Sequence, residues 1–133
     1  MLILGAAGGV GHLAVQLARS HGAHVIGSAS SSGTNIVMDS GADEVIDHSA
    51  GWIDDAFEAV DLVFDTAGGE PLRRSRAFLR PGGRIVIIAE PPPNGVEATY
   101  FLVDPDRDQL AEVTTLVDRG ELRFGDRSRL RTR

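Results

Sequence analysis

The chain has 133 residues, 42% of them hydrophobic, and a net charge of −6, which describes one ordinary domain with enough apolar content to fold around a core. The acidity argues against nucleic-acid binding, and the absence of Cys excludes disulfides, thiolate zinc sites and cysteine nucleophiles. No apolar run approaches the roughly 20 residues of a membrane span, and a start without a basic n-region reads as cytoplasmic rather than exported.

Short apolar runs alternate with helix-like stretches along the whole chain. Leu2–Gly5 is β-branched or apolar and bounded by glycine, which predicts a strand. After a glycine-rich loop, Val10, Leu13, Ala14, Leu17 and Ala18 fall at i, i+3, i+4, i+7 and i+8, one apolar helical stripe that Gly22 would end. The pattern then predicts a strand over His24–Ser28, a helix over Thr34–Ser40 stopping at Gly41, and a strand over Glu44–Asp47. A third helix is expected over Trp52–Ala59 and a strand over Asp61–Asp65. A fourth helix starts near Pro71, a good first-turn residue, and ends before Arg80–Gly83, "RPGG". Strands are expected over Arg84–Ala89 and Ala98–Val103. A last helix fits Pro105–Arg119, with Asp104 as N-cap, Val113, Leu116 and Val117 inward, and Gly120 as its stop. The tail Arg123–Arg133 has no periodicity and holds five of the thirteen arginines. It reads as a solvated end or as a phosphate-binding one. This alternation predicts an α/β fold, a parallel six-stranded sheet with helices on both faces. One domain would cover residues 1–122, with an irregular tail over 123–133.

Gly5-Ala6-Ala7-Gly8-Gly9-Val10-Gly11 joins the first strand to the first helix. One glycine allows the tight turn, another lets a pyrophosphate approach the backbone, and Gly11 lets helix and strand pack closely. The free amides and positive end of the helix then face the phosphates. This is the doubly wound, Rossmann-type arrangement, with Ala6 standing where the usual pattern has its first glycine. A turn with no ligand is the other reading of the same residues. About 20 residues on, an NAD(H) site carries an acid for the ribose diol. Here Ser28-Ala29-Ser30-Ser31-Ser32 stands there instead, which favours NADP(H) over NAD(H), although no Lys or Arg is near.

Taken together, "LILGAAGGVGHLAVQLA", "HGAHVIGSAS", "GADEVID", "VDLVFDTAGG", "LRPGGRIVIIAEPP" and "FLVDPDRDQLAEVTTLVDRGEL" resemble the cofactor domain of the medium-chain dehydrogenase/reductase family, in its zinc-independent quinone-reductase branch. The likeness runs from Leu2 to about Leu122. It implies that Gly8, Gly9 and Val10 meet the pyrophosphate. It implies that Ser28, Ser30 and Ser31 lie near the adenosine ribose and its 2′-phosphate, with His48 at the same end. Thr66, Ala67 and Gly68 would approach the adenine and ribose. Ala89, Glu90 and Pro91 would border the nicotinamide. Phe101, Leu102 and Val103 would close over it and continue into a homodimer contact through the edge strand 98–103. Each residue also has a plain structural reading: His48 as a turn residue, Glu90 as a solvent-facing carboxylate, Phe101 as core. Family members carry a GroES-like catalytic domain before this region, which has no counterpart in this sequence, nor do the catalytic-zinc ligands that the alcohol dehydrogenase branch keeps there.

No Ser/His/Asp set, HExxH or carboxylate pair offers another chemistry. The four histidines, His12, His21, His24 and His48, are dispersed without metal-ligand spacing, and every basic residue is Arg, so no Lys serves as base or phosphate ligand. The reading is an NADP(H)-binding domain of an oxidoreductase that reduces quinones, enones or related carbonyls by hydride transfer, the small substrate entering only with a catalytic domain. No metal, membrane or nucleic-acid partner is expected. The alternatives are a stand-alone, non-catalytic dinucleotide-binding module and an S-adenosylmethionine-dependent methyltransferase; the second wants acids where Gly5 and Ala29 stand.

Overall fold

The computed structural model describes residues 1–51 and 59–125. Within them β1 (Leu2–Leu4), β2 (Ile26–Ala29), β3 (Glu44–Asp47), β4 (Val60–Asp65), β5 (Leu79–Ile87) and β6 (Thr99–Tyr100) form one sheet in the order β3-β2-β1-β4-β5-β6. Every neighbouring pair is parallel. The helices are α1 (Gly11–Ser20), α2 (Thr34–Asp39), α3 (Gly69–Ser75) and α4 (Arg107–Asp118). The chain winds outward from β1 to β3, crosses back to β4 and winds the other way, the doubly wound Rossmann topology. Among the described residues no helix is long and apolar enough to cross a membrane.

The strand alternation explains the layering. In β1, Leu2 and Leu4 point to one face and Ile3 to the other, and all three are fully buried, as a central parallel strand requires. Leu2, Leu4, Ile26, Ile46, Val63 and Ile85 pack with Leu72 of α3 and Phe78. On the opposite face Ile3, Val25 and Ala29 pack with Val15 of α1 and Val37 of α2. Helices therefore cover both faces, as the pattern predicts. Leu4 is level with Ser28 on one side and with Asp65 on the other, so β1, β2 and β4 end together.

Several boundaries differ from expectation, four of them with a clear physical reason. β2 lies slightly later, because Val25 is held outside the ladder, its N–H donating to the Asp43 carboxylate at 2.8 Å. β5 begins at Leu79 rather than Arg84: Val60 pairs with Leu79 and Leu62 with Arg84, so "RPGG" is a bulge within the strand rather than a loop before it. The sixth strand is only Thr99–Tyr100. Phe101 N–H still bonds the Ile87 carbonyl, but β5 ends at Ile87 and leaves Leu102 and Val103 no ladder to join. The N-cap of α4 is Asp106, not Asp104. The Asp106 carboxylate accepts from the amides of Asp108 and Gln109, which satisfies two orphan donors and sets Asp108 in the positive first turn. Val113, Leu116 and Val117 do turn inward, each half-buried. The helix expected over Trp52–Ala59 falls almost wholly outside the described residues, as do positions 126–133 of the tail.

Leu72 is fully buried whereas Leu110 on α4 is 66% exposed. Leu72→Ala is expected to lower unfolding stability by about 2–5 kcal/mol, and Leu110→Ala to change it by less than about 0.5 kcal/mol. Urea midpoints at constant slope check the contrast.

Candidate functional site

A cavity of about 470 Å³ opens at the carboxyl ends of β1, β2 and β4, where the winding reverses between β1 and β4. Open α/β sheets bind their ligands at this switch point, and the volume is that of an ordinary ligand cleft. Its floor is Gly5, Ala7, Gly8, Gly9 and Val10; one wall is Ala29, Ser30 and His48, the other Thr66 and Ala67.

The loop is shaped by two glycines. Gly5 sits at φ 71°, a left-handed conformation that disfavours a side chain, and Gly8 N–H closes the turn onto its carbonyl at 3.0 Å. Gly11 opens α1, and a Cβ there would overlap the Gly5 carbonyl oxygen and crowd the Ala6 Cα. The helix can therefore seat directly on the end of β1. Its N-cap, Val10, supplies no side-chain cap, and its first turn holds no acidic residue. The first amides of a helix have no internal partner, so the positive end of α1 reaches the cavity without a built-in counter-charge.

β4 is tied to this loop. The Thr66 hydroxyl donates to the Leu4 carbonyl at 2.7 Å and lies 3.2 Å from that of Gly5. Asp65 is fully buried; its carboxylate accepts from Ala67 N–H at 3.1 Å and from Gly68 N–H at 2.9 Å. That is an Asx turn, and it fixes the path of Thr66–Gly68 along the cleft.

The nominated serines part ways. Ser30 lines the cavity. Ser28 points into the sheet, fully buried, its hydroxyl without a partner. Ser31 is exposed, and its hydroxyl donates to the Asp47 carboxylate at 2.6 Å. Ser49 joins this group, its N–H donating to Asp47 at 3.0 Å. Donation from Ser31, then Ser49, holds the Asp47 carboxyl below its ordinary value. An ionised acid from the end of β3 thus stands where no acid was expected from the end of β2.

Of the other nominated residues, Gly8, Gly9, Val10, His48, Thr66 and Ala67 line the cavity. Gly11 and Gly68 are buried just behind it, and Ala89, Glu90 and Pro91 are exposed beyond β5. Glu90 neither points freely to solvent nor lines the cavity; it folds back and accepts from Gly69 N–H at 3.1 Å, at the start of α3. Phe101, Leu102 and Val103 are 54, 71 and 78% exposed beyond β6. Sequence reasoning did not nominate Gly5, Ala7 or Ala29 as lining, nor Asp65 or Asp47 as supports. The Asp-Thr-Ala-Gly run carried an Asx-turn signal for Asp65; nothing local marks Asp47.

Residues 9–116 match the family model for the zinc-binding dehydrogenases. The chain is similar to the NAD(P)H oxidoreductase RTN4IP1, mitochondrial, of Danio rerio, 36% identical over 117 residues, covering 84% of this chain and 28% of that protein. It is similar to the quinone oxidoreductase of Mus musculus, 34% identical over 126 residues, covering 88% and 36%. It also resembles the solved structure of the quinone oxidoreductase from Coxiella burnetii, with a TM-score of 0.80 and 29% identity over 92% of this chain and 42% of that one. The chain spans about a third of the length of these curated relatives. The family description names zinc; the chain has no Cys, and among the described residues no group of three or more His, Asp or Glu side chains is placed to hold a metal ion.

A carboxyl with a depressed folded-state pKa contributes stability above its unfolded value, and that contribution is lost as pH falls through the folded one. The Asp47 carboxyl is expected to titrate below the ordinary aspartate value of about 3.9 in an NMR titration of side-chain carboxyl carbons. Ser31→Ala should move it back toward that value.

Proposed function

The chain belongs to the zinc-binding dehydrogenase family, in the quinone-reductase-like branch of the medium-chain dehydrogenases, and on that premise we propose that it is the NADP(H)-binding domain of an oxidoreductase that reduces quinones, enones or related carbonyls. The observation that carries this reading is the unguarded N-terminus of α1. It opens into the switch-point cleft with neither a side-chain cap nor a first-turn acid, and a diphosphate supplies the missing charge. The relative named as an NAD(P)H oxidoreductase and the quinone oxidoreductases support the cofactor class and the reaction.

Bound, the dinucleotide supplies hydride at its nicotinamide. The chain's own part is to bind and orient. The amides of Gly9 and Val10, at the entrance to α1, hold the diphosphate. Ser30 and His48 face the adenosine ribose, and Thr66 and Ala67 form the wall across from them. Ala89–Pro91 and Phe101–Val103 continue the same carboxyl edge of the sheet and border the nicotinamide. The rest of the substrate pocket comes from the part of the relatives that lies outside the matched region. The exposed backbone beyond β6 is an unpaired edge and carries the homodimer contact through residues 98–103.

Isothermal titration of the chain with NADPH, NADH and S-adenosylmethionine tests the reading. NADPH binding is expected; heat with S-adenosylmethionine alone overturns it. NADPH binding without hydride transfer to any quinone, even in a full-length homologue carrying this domain, would leave a binding module only. Gly9 is the position for a clean variant: a Cβ there meets nothing within 4 Å and its φ is not left-handed. Gly9→Asp is expected to keep the melting temperature and to raise the NADPH Kd by about tenfold or more, since each factor of ten is about 1.4 kcal/mol.

A further inference from the structure

His12 and Gln16 stand one turn apart on α1, on the face that meets the residues following α4. The Gln16 amide pairs with the backbone of Arg123 in both directions. Its Nε2 donates to the Arg123 carbonyl at 2.8 Å, and Arg123 N–H donates to its Oε1 at 2.8 Å. One turn earlier, Gly125 N–H donates to His12 Nε2 at 3.0 Å. Leu122, just before this segment, is 2% exposed.

The His12 ring has only one way to satisfy these neighbours. A backbone N–H can only donate, so Nε2 must carry the lone pair. His12 Nδ1 lies 2.7 Å from the Gly8 carbonyl oxygen, which can only accept, so Nδ1 must carry the proton. The imidazole is thus a neutral, directional bridge from Gly125, through α1, to the Gly8 carbonyl. Gly8 is also where His12's own backbone N–H donates, at 3.1 Å.

The peptide unit turns this into a statement about binding. In a trans peptide the C=O of one residue and the N–H of the next point in opposite directions. With two donors from His12 drawing the Gly8 carbonyl toward α1, the Gly9 N–H of the same unit is aimed away from the helix, where Gly9 lines the cavity. We propose that His12 is a positioning residue for the cofactor diphosphate: it never touches the ligand, and it fixes the direction of the Gly9 amide while Gly125 fixes the ring. This rests on the dinucleotide reading above, and it adds that residues 122–125 belong to the binding apparatus.

Two isosteres separate the halves of the bridge. Asn places an amide nitrogen near the position of Nδ1 and keeps the bond to Gly8. Gln places an acceptor near the position of Nε2 and keeps the bond from Gly125. Phe keeps the ring and loses both. Loss of one neutral hydrogen bond is worth about a fivefold change in an equilibrium constant, so His12→Phe and His12→Gln should weaken NADPH binding about fivefold. His12→Asn should restore it to within about twofold. In the unliganded wild-type chain, long-range ¹⁵N–¹H correlation spectra should show the proton on Nδ1. A proton on Nε2, or a folded His12→Phe that binds NADPH as tightly as wild type, overturns the assignment. A wild-type chain that binds no NADPH overturns the cofactor reading instead, and the tautomer then decides whether His12 holds Gly8.

Discussion

The seating of α1 on the end of β1 is the constraint from which the rest follows. Only a residue without Cβ can stand at Gly11, because the Gly5 carbonyl oxygen and the Ala6 Cα occupy the space a side chain would take. That contact lets the helix begin right after the strand's turn, so its first amides open at the sheet's carboxyl edge rather than beside it. A longer connection would carry the helix dipole off the cleft, and its influence falls away within a turn. Close packing, chain direction and charge are therefore one decision, made by one missing methyl group.

β4 turns that decision into a cleft. Its last residue is level with Leu4, and the Thr66 hydroxyl fastens its exit to the backbone where the glycine loop begins. Asp65 is expensive to bury, yet it lies among Ala67 and Gly68 amides that it satisfies, an arrangement in which a charge is tolerable away from water. The wall of Thr66 and Ala67 is thus rigidly referred to the floor of Gly5–Val10. A helix terminus alone attracts anions weakly. One with a fixed wall on either side also sets which way a long anion must lie.

The strand–helix alternation was legible because burial writes it in short-range periodicity. Leu2, Ile3 and Leu4 read as a strand because all three are buried; α1 was legible as a helix, but its fully buried residue Val15 lies off the stripe of Val10, Leu13, Ala14, Leu17 and Ala18, and Val10 is 53% exposed. What misled was local chemistry with two equal answers. Asp104 and Asp106 are both competent N-caps, and only the structure shows Asp106 holding two amides. "RPGG" has turn composition, but whether a turn lies before a strand or bulges within it depends on a partner, Val60–Leu62, some twenty residues away. The site divides in the same way. The glycine loop, Thr66 and Ala67 were legible because each ends a strand, and strand ends converge at the switch point. Ser28 was misplaced by the pleat: within β2 it faces opposite to Ala29 and is fully buried, while Ala29 lines the cleft and Ser30 reaches it because the strand has ended.

Asp47 shows how an interaction across the sheet can reverse a local inference about charge. A serine run after β2 with no acid favours a 2′-phosphate, provided its hydroxyls are free to donate. Ser31 gives its hydroxyl to Asp47 instead, and Ser49 donates there as well. A phosphate drawing on those same donors would exchange one hydrogen bond for another at little net gain, and would do so beside a carboxylate that those very bonds keep ionised. None of the cavity-lining residues is Lys or Arg, so no fixed charge-assisted pair offsets that repulsion. Under the proposed reading, preference for NADP(H) at this cleft rests on Ser30 and His48 and on whatever the remainder of the full-length relatives places against them. On that reading the diphosphate would meet backbone that any dinucleotide meets, which makes binding the property of the loop and coenzyme choice the property of its neighbours.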